Sequence, residues 1–174
     1  MRRPVNRSRL AEFSRALAAA AKSAGRVYLT GGATALLFGW RESTRDVDVK
    51  FDPEQDELLR AIPAIKESLQ INVELASPDQ FIPTPEWRER SRFIEIHGLL
   101  SFYHFDLCSQ ALAKIERGHE KDRVDVAAML ERGLVTPDEL RLRFEEIEPL
   151  LYRYPAVDPG SFRSAVEAAT ASGV

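Results

Sequence analysis

Residues 27–51 constrain the fold more than any other part of this 174-residue chain. They read, in order, an apolar run, a pair of glycines, a short apolar segment, a polar loop with arginine, and the alternating run Asp46-Val47-Asp48-Val49. This order predicts a strand, a glycine turn, a helix, a loop and a second strand. Because side chains alternate across a strand, Asp46 and Asp48 share one face and the two valines take the other.

The two aspartates and the glycine pair suit complementary parts of one ligand. Two close carboxylates repel each other unless a cation lies between them, and Mg²⁺ is a divalent ion that prefers oxygen ligands. Gly31 and Gly32 open the predicted helix, whose first N–H groups have no helical partner and therefore suit a phosphate. The stretch predicts a site for a nucleoside triphosphate, although a core with a glycine turn and two surface aspartates is the simpler alternative.

The pattern resembles that of the DNA polymerase β-like nucleotidyltransferases, in which a Gly-Gly or Gly-Ser turn is followed by Asp-x-Asp. Twelve residues separate Ala33 from Asp46 here, which suits the spacing in that family. Where the family has Ser or Thr after the glycines this chain has Ala33, so Thr30 or Thr34 would supply the hydroxyl that contacts phosphate. The resemblance implies an α+β fold with a mixed sheet, in which a polymerase β-like core carries flanking and C-terminal helices.

A third acid is expected on a neighbouring strand. Residues 70–76 alternate in polarity and are predicted to form a strand, with Glu74 on its polar face. The resemblance implies that Glu74 accepts the proton of an attacking hydroxyl, since a base must lie within hydrogen-bond reach of the nucleophile. A solvent-facing glutamate on an edge strand is an equal alternative, and Glu95 and Asp106 are rival candidates.

A second group of charged residues lies between positions 106 and 134. Its order of Lys, Arg and Lys-Asp-x-x-Asp resembles the C-terminal motifs of nucleotidyltransferase toxins of bacterial toxin–antitoxin and abortive-infection systems. It is closer still to short bacterial nucleotidyltransferase-like proteins without an assigned function. The resemblance implies that Lys114 binds phosphate, that Arg117 and Lys121 add positive charge, and that Asp125 holds this basic cluster in place. A solvated helix surface is the alternative.

These motifs together predict a Mg²⁺-dependent nucleotidyltransferase that moves a nucleoside monophosphate from an NTP to an acceptor hydroxyl. Asp46 and Asp48 are the predicted metal ligands, and Glu74 completes the predicted catalytic set. The predicted nucleotide-binding residues are Gly31, Gly32, Thr34, Arg41, Arg45, Lys114, Arg117, Lys121 and Asp125.

The acceptor is less constrained than the nucleotide. The resemblance to toxins implies tRNA, another RNA or a protein hydroxyl as acceptor, and a cognate antitoxin protein as partner. Arg88, Arg90 and Arg92 favour RNA, because phosphate contacts need such clusters. An aminoglycoside antibiotic is an alternative acceptor within the superfamily. A non-catalytic nucleotide-sensing or partner-binding module on the same fold is an alternative of a different class.

Composition bounds the remaining choices. The chain is 44% hydrophobic and 29% charged, as in ordinary globular proteins. Its single cysteine, Cys108, excludes an internal disulfide framework and, with three histidines, leaves no zinc cluster. The net charge of −3 argues against a general nucleic-acid-coating protein. Since no apolar run is long enough to span a bilayer, we expect no membrane partner and a cytoplasmic location.

Capping signals predict where helices begin. Ser8 is predicted to cap a first helix, and residues 1–7 before it are expected to fray. Asp52 is predicted to cap a second helix, which Pro63 should kink or divide. Residues 136–139 read as a capping box. We expect a core over residues 1–134 and a helical extension over 135–174 that packs on the same domain.

Overall fold

The computed structural model describes residues 2–76 and 82–171, which form two compact units. The first unit holds the described residues up to Ala76 together with Ser91–Phe105. The second holds the described residues between these two segments and those from Asp106 onward. This division falls at different points from the boundary that we expected after residue 134.

A mixed sheet forms the first unit and has five strands within the described residues. They are β1 (Gly25–Thr30), β2 (Asp46–Asp52), β3 (Asn72–Leu75), β4 (Arg92–His97) and β5 (Leu100–His104). The spatial order is β3-β2-β1-β5-β4. β1 pairs antiparallel with β2 and parallel with β5, β2 pairs parallel with β3, and β4 pairs antiparallel with β5. The mixed sheet with its helices confirms the predicted α+β class.

Three helices belong to this unit: α1 (Arg7–Ala20), α2 (Gly32–Phe38) and α3 (Asp56–Leu69). One face of the sheet is apolar, because alternate residues of β1 and β2 point towards α1 and α3. The buried core contains Leu10, Phe13, Leu17, Val27, Leu29, Val47, Val49, Leu58, Ile62 and Ile65. On β2 the two valines are buried while Asp46 and Asp48 are half-buried on the opposite face, as the alternation predicts.

The capping predictions at the first two helices were wrong. α1 begins after Asn6, whose side chain accepts a hydrogen bond from the N–H of Arg9 at 3.0 Å, so Ser8 lies inside the helix. α3 begins after Gln55 rather than Asp52, because Asp52 is still the last residue of β2. Helix α3 also continues through Pro63, which is exposed and does not divide it.

The second unit is helical. It contains α4 (Trp87–Arg90), α5 (Leu107–Arg117), α6 (Glu120–Glu131), α7 (Pro137–Ile147), a 3₁₀-helix (Glu148–Arg153) and α8 (Pro159–Ala171). Because α5 packs against α6, α7 and α8, the charged segment expected in the core groups with the C-terminal helices. The capping box of α7 is confirmed, with Thr136 and Glu139 bonded reciprocally. Among the described residues, no helix combines the length and apolar character needed to cross a bilayer.

His104, the last residue of β5, is buried inside the first unit. Its ring stacks on Phe38 with centroids 4.4 Å apart, and its Nδ1 lies 3.3 Å from the hydroxyl of Thr34. Burial, helped by the positive charge of Arg92, lowers the pKa of His104 from 6.5 to about 4. The imidazole is therefore neutral at pH 7.

Acid should destabilise the fold through His104. The pKa of His104 is 6.5 in the unfolded chain and about 4 in the folded chain. Between these two pH values the unfolded chain binds a proton at His104 and the folded chain does not. The free energy of unfolding is highest above pH 6.5 and falls as the pH approaches about 4, by on the order of 3 kcal/mol in total. His104→Phe, which keeps an aromatic ring, should flatten this part of the profile in urea titrations between pH 7 and 4. His119→Ala, at an exposed position, should leave the wild-type slope; an unchanged slope in His104→Phe would contradict the prediction.

Candidate active site

The polar face of the sheet brings three acids together on two neighbouring strands. Asp48 of β2 lies opposite Glu74 of β3, and Asp46 lies opposite Asn72. On its other side Asp48 lies opposite Thr30, the last residue of β1. Directly opposed residues on paired strands share a face, so the predicted catalytic acids Asp46, Asp48 and Glu74 lie on one surface.

Gly31 allows the carboxylate of Asp48 to approach the turn after β1. Its backbone has φ 61° and ψ −123°, a conformation that residues other than glycine rarely adopt. A Cβ placed on Gly31 would lie 2.9 Å from Oδ2 of Asp48, closer than real Cβ atoms come to other atoms. The carboxylate of Asp48 therefore lies close to the backbone of Gly31, so the turn and this acid converge as predicted.

The absence of a side chain at Gly32 likewise leaves the space that Thr44 occupies. A Cβ on Gly32 would collide with the Thr44 hydroxyl and lie 2.7 Å from the Thr44 Cβ. The hydroxyl also donates a hydrogen bond to the Asp46 carbonyl at 3.1 Å. Thr44 therefore places a hydroxyl beside the glycine turn, and sequence reasoning missed it. The available signal was its position in the polar loop two residues before Asp46.

The hydroxyl that we predicted for this role lies elsewhere. Thr34 is 1% exposed, and its Oγ1 lies 3.4 Å from the carbonyl oxygen of Leu29 and 3.3 Å from His104. This side chain is therefore buried and engaged by partners of its own unit, and its assignment to phosphate stays a prediction. Thr30, the other candidate, is also buried.

Asn72 links two of the three acids. Its amide nitrogen donates to Asp46 Oδ1 at 2.7 Å and to Glu74 Oε1 at 2.9 Å. Its amide oxygen accepts a hydrogen bond from Arg2 at 2.8 Å. Sequence reasoning placed Asn72 on the same strand face as Glu74 but gave it no role. The amide fixes the orientation of the Asp46 carboxylate and reduces the repulsion between the two acids.

The N-terminal segment supports both sides of this surface. Val5 and Thr44 exchange backbone hydrogen bonds of 2.7 and 2.9 Å, and the N–H of Arg3 donates to the carbonyl of Gln70 at 2.8 Å. The segment was expected to fray, but these bonds tie it to the residues just before β2 and β3. It holds Thr44 against the glycine turn, and the Arg2 side chain holds Asn72 against the acids.

The donor set fits Mg²⁺. This ion is usually held by one or two carboxylates plus substrate phosphates and water, rather than by a complete protein cage. Asp46 and Asp48 supply two carboxylates on one face beside a bare backbone turn. Within residues 2–76 and 82–171, no group of three or more His, Cys, Asp or Glu side chains is placed to hold a metal ion.

The rival third acids have other partners. Glu95 lies on β4, which is separated from β2 by two strands, and it pairs with His97 at 3.2 Å. Asp106 is buried as the N-cap of α5 and accepts hydrogen bonds from Thr84, Ser109 and Arg90. Of the three candidates, Glu74 is the one that lies on the strand next to Asp48.

Two predicted nucleotide-binding arginines flank the β2 strand on its N-terminal side. Arg41 is half-buried in the loop that follows α2, and Arg45 is exposed directly before Asp46. The exposed position of Arg45 next to Asp46, a predicted metal ligand, suits contact with a phosphate.

The second predicted cluster is a buried ion network. Nζ of Lys114 lies 2.6 Å from a carboxylate oxygen of Asp125 and 3.4 Å from one of Asp122, while Arg117 donates two hydrogen bonds to Asp122. Asp125 therefore does contact the lysine, as expected. Lys114 is 7% exposed and pairs with two carboxylates inside the second unit, so it is not part of a solvated helix surface; its contact with phosphate stays a prediction. Lys121 is exposed.

Asp122 shows which force dominates in this network. Burial acts to raise the pKa of its carboxyl, but the hydrogen bonds and charges of Arg117 and Lys114 outweigh burial and lower it. The carboxyl of Asp122 is therefore ionised at neutral pH and faces the two cationic side chains of Lys114 and Arg117.

The arginines that favoured RNA are partly engaged inside the second unit. Arg90 donates to Asp106 at 3.2 and 3.1 Å, and the guanidinium of Arg88 lies 4.3 Å from the centre of the Trp87 ring. Arg88 and Arg92 are exposed, so within this cluster Arg90 is the arginine that pairs with Asp106.

Comparison with known proteins gives one match. The model of a family described as "Nucleotidyltransferase of unknown function (DUF6036)" matches residues 8–156, which is most of the chain. No curated protein and no solved structure matches it.

Gly31→Ala should lower the free energy of unfolding by more than an ordinary glycine-to-alanine substitution does. The change strains the backbone and pushes against Asp48, so we expect about 3 kcal/mol of destabilisation. Gly133→Ala is the matched control: Gly133 has φ 63° but no atom within 4 Å of its added Cβ, so we expect about 1 kcal/mol. Urea unfolding measures both. Equal losses would show that the approach of Asp48 imposes no constraint.

Lys114→Met should destabilise the second unit strongly. It leaves Asp122 and Asp125 buried with one cation fewer, and breaking a buried pair in this way costs about 3–5 kcal/mol. Lys121→Met, at an exposed position on α6, should stay within about 0.5 kcal/mol of wild type. The measurement is again urea unfolding, and a small effect at Lys114 would mean that the ion network does not support the helices.

Proposed function

The chain belongs to the family of nucleotidyltransferases of unknown function, and from this premise we propose that it transfers a nucleoside monophosphate from an NTP to an acceptor hydroxyl, with Mg²⁺ as cofactor. The nucleotide would lie on the polar face of the sheet in the first unit. Pyrophosphate is the leaving group of the reaction.

The contact between Gly31 and Asp48 carries this proposal. It puts a metal-binding carboxylate against the turn that opens α2, and Asp46 lies on the same strand face. A surface aspartate without a function does not need a neighbouring backbone in a glycine-only conformation. Phosphate oxygens are bound by backbone N–H groups and a divalent ion by carboxylates, and both kinds of group lie side by side here.

Each residue of the site has a defined task. Backbone N–H groups of the turn and Arg45 would bind phosphate oxygens, and the Thr44 hydroxyl would complete the turn. Asn72 keeps the Asp46 carboxylate oriented. Glu74, which is exposed and lies opposite Asp48, would accept the proton of the acceptor hydroxyl as it attacks the α-phosphorus.

Asp46 and Asp48 would hold Mg²⁺. When bound, the ion neutralises phosphate charge and stabilises the attacking and leaving oxygens. The contribution of the chain itself is to fix the two carboxylates before the substrate arrives, because reactions of this type depend mainly on positioning and electrostatics.

For the acceptor we propose RNA such as tRNA, or a protein hydroxyl, with a role as the toxin component of a toxin–antitoxin pair. The support is the order of charged residues from Lys114 to Asp125, which resembles the motifs of such toxins. A cognate antitoxin would then be a partner. The labelled product of the assay below identifies the acceptor directly, whether it is RNA, protein or an added aminoglycoside.

Asp48→Asn should abolish most of the activity. Purified protein is incubated with α-labelled NTPs, Mg²⁺ and, separately, total RNA, total protein or an aminoglycoside. We expect label transfer by wild type and a rate lower by on the order of 10³-fold for Asp48→Asn, because a metal-binding charge is lost with little change in shape.

The matched control is Asp52→Asn, an isosteric change at the other end of the same strand, which should keep near-wild-type activity. Absence of labelling by all three proteins in every mixture would remove the support for catalysis. Calorimetry with Mg²⁺ and a non-hydrolysable NTP then separates the remaining options: binding without turnover indicates a nucleotide-sensing module, and no binding excludes a nucleotide role.

A further inference from the structure

A cavity of about 410 Å³ lies within the second unit, among α5, α6 and α8. This volume falls within the range of small-molecule sites. Its wall is mainly apolar and includes Val126, Ala127 and Leu130 of α6 and Ala165 of α8. The short side chains on α8 leave open space where larger residues would close the gap between the helices.

Lys114 lines this cavity and brings a buried charge to it. An ammonium group has three N–H donors. Within the part of the chain that the structure describes, Lys114 donates two hydrogen bonds, to Asp122 and Asp125, and has no third acceptor. One donor of a side chain that is 7% exposed is therefore available to a ligand oxygen.

The charges around the cavity indicate whether this ligand oxygen belongs to an anion or to a neutral group. Lys114 and Arg117 balance Asp122 and Asp125, so the buried network is neutral as a whole. Arg123 also lines the cavity and is exposed, with no ion pair among the described residues. The lining therefore carries one uncompensated positive charge, which favours an anion over a neutral or cationic head group.

We propose that this cavity binds a small organic acid. Its hydrocarbon body would fill the apolar space between α6 and α8, and its carboxylate would accept hydrogen bonds from Lys114 and Arg123. The proposed site is formed by residues of the second unit alone, and its existence does not depend on the proposed enzymatic activity.

Titration calorimetry with octanoate tests the proposal on the full chain without nucleotide or metal. We expect saturable binding of one octanoate per chain, and at least tenfold weaker binding of octan-1-ol, which has the same chain length but no charge. Arg123→Gln should weaken octanoate binding about tenfold and leave octan-1-ol binding unchanged, because one charge-assisted hydrogen bond contributes about this much.

Ala165→Leu adds bulk to the apolar wall of the cavity and should weaken binding of both ligands by tenfold or more. Ala171→Leu is the matched control on the same helix, at an exposed position outside the lining, and should bind octanoate like wild type. Thermal unfolding of each variant confirms that it is folded. These variants avoid Lys114 itself, whose removal would disturb folding.

Four results would overturn the proposal: no saturable binding of octanoate at millimolar concentration, equal binding by Ala165→Leu, equal binding of octan-1-ol and octanoate, or competitive displacement of octanoate by Mg-ATP. The last result would assign Lys114 to the nucleotide, as its sequence motif predicts. Apart from the Mg-ATP competition, the binding measurements contain no nucleotide, so their failure leaves the transferase proposal intact, and failure of the transferase assay leaves this site intact.

Discussion

The site in the first unit depends on backbone that carries no side chain. At Gly31 and Gly32 the space of a Cβ is taken by Asp48 and Thr44, respectively. These two contacts join the end of β1, the start of α2 and the strand β2 at one point. Any larger residue would move either the turn or the acid, so the geometry of the carboxylates follows from the absence of two methyl groups.

Periodicity explains what the sequence could predict. The alternation of residues 46–49 correctly separates buried valines from the two aspartates, because strand geometry alone decides which face a side chain takes. The same reasoning places Glu74 on the polar face of β3. These predictions need no knowledge of distant residues. The sheet order and the division into two units could not be obtained in this way, since they depend on which elements pack together.

The residues that sequence reasoning missed are held by partners far away in the chain. Thr44 is fixed by backbone bonds to Val5, and Asn72 is fixed by Arg2, seventy positions before it. Nothing within a few residues of Thr44 or Asn72 indicates these contacts. Lys114 illustrates a related limit: helical spacing shows that it shares a side with other charges, but only the packing of α5 on α6 shows that Asp122 and Asp125 neutralise it.

The three acids of the first unit also differ in how their charge is balanced. The amide of Asn72 donates hydrogen bonds to one oxygen of Asp46 and one of Glu74, which reduces the repulsion between these two carboxylates. An amide dipole compensates less charge than a divalent cation does, and two carboxylates alone give Mg²⁺ too few ligands. Within the protein these carboxylates have hydrogen-bond partners, but a bound Mg²⁺ would still need further ligands. Phosphate oxygens would provide the missing ligands, so under the proposed function this surface would bind a polyphosphate together with its cation rather than either one alone.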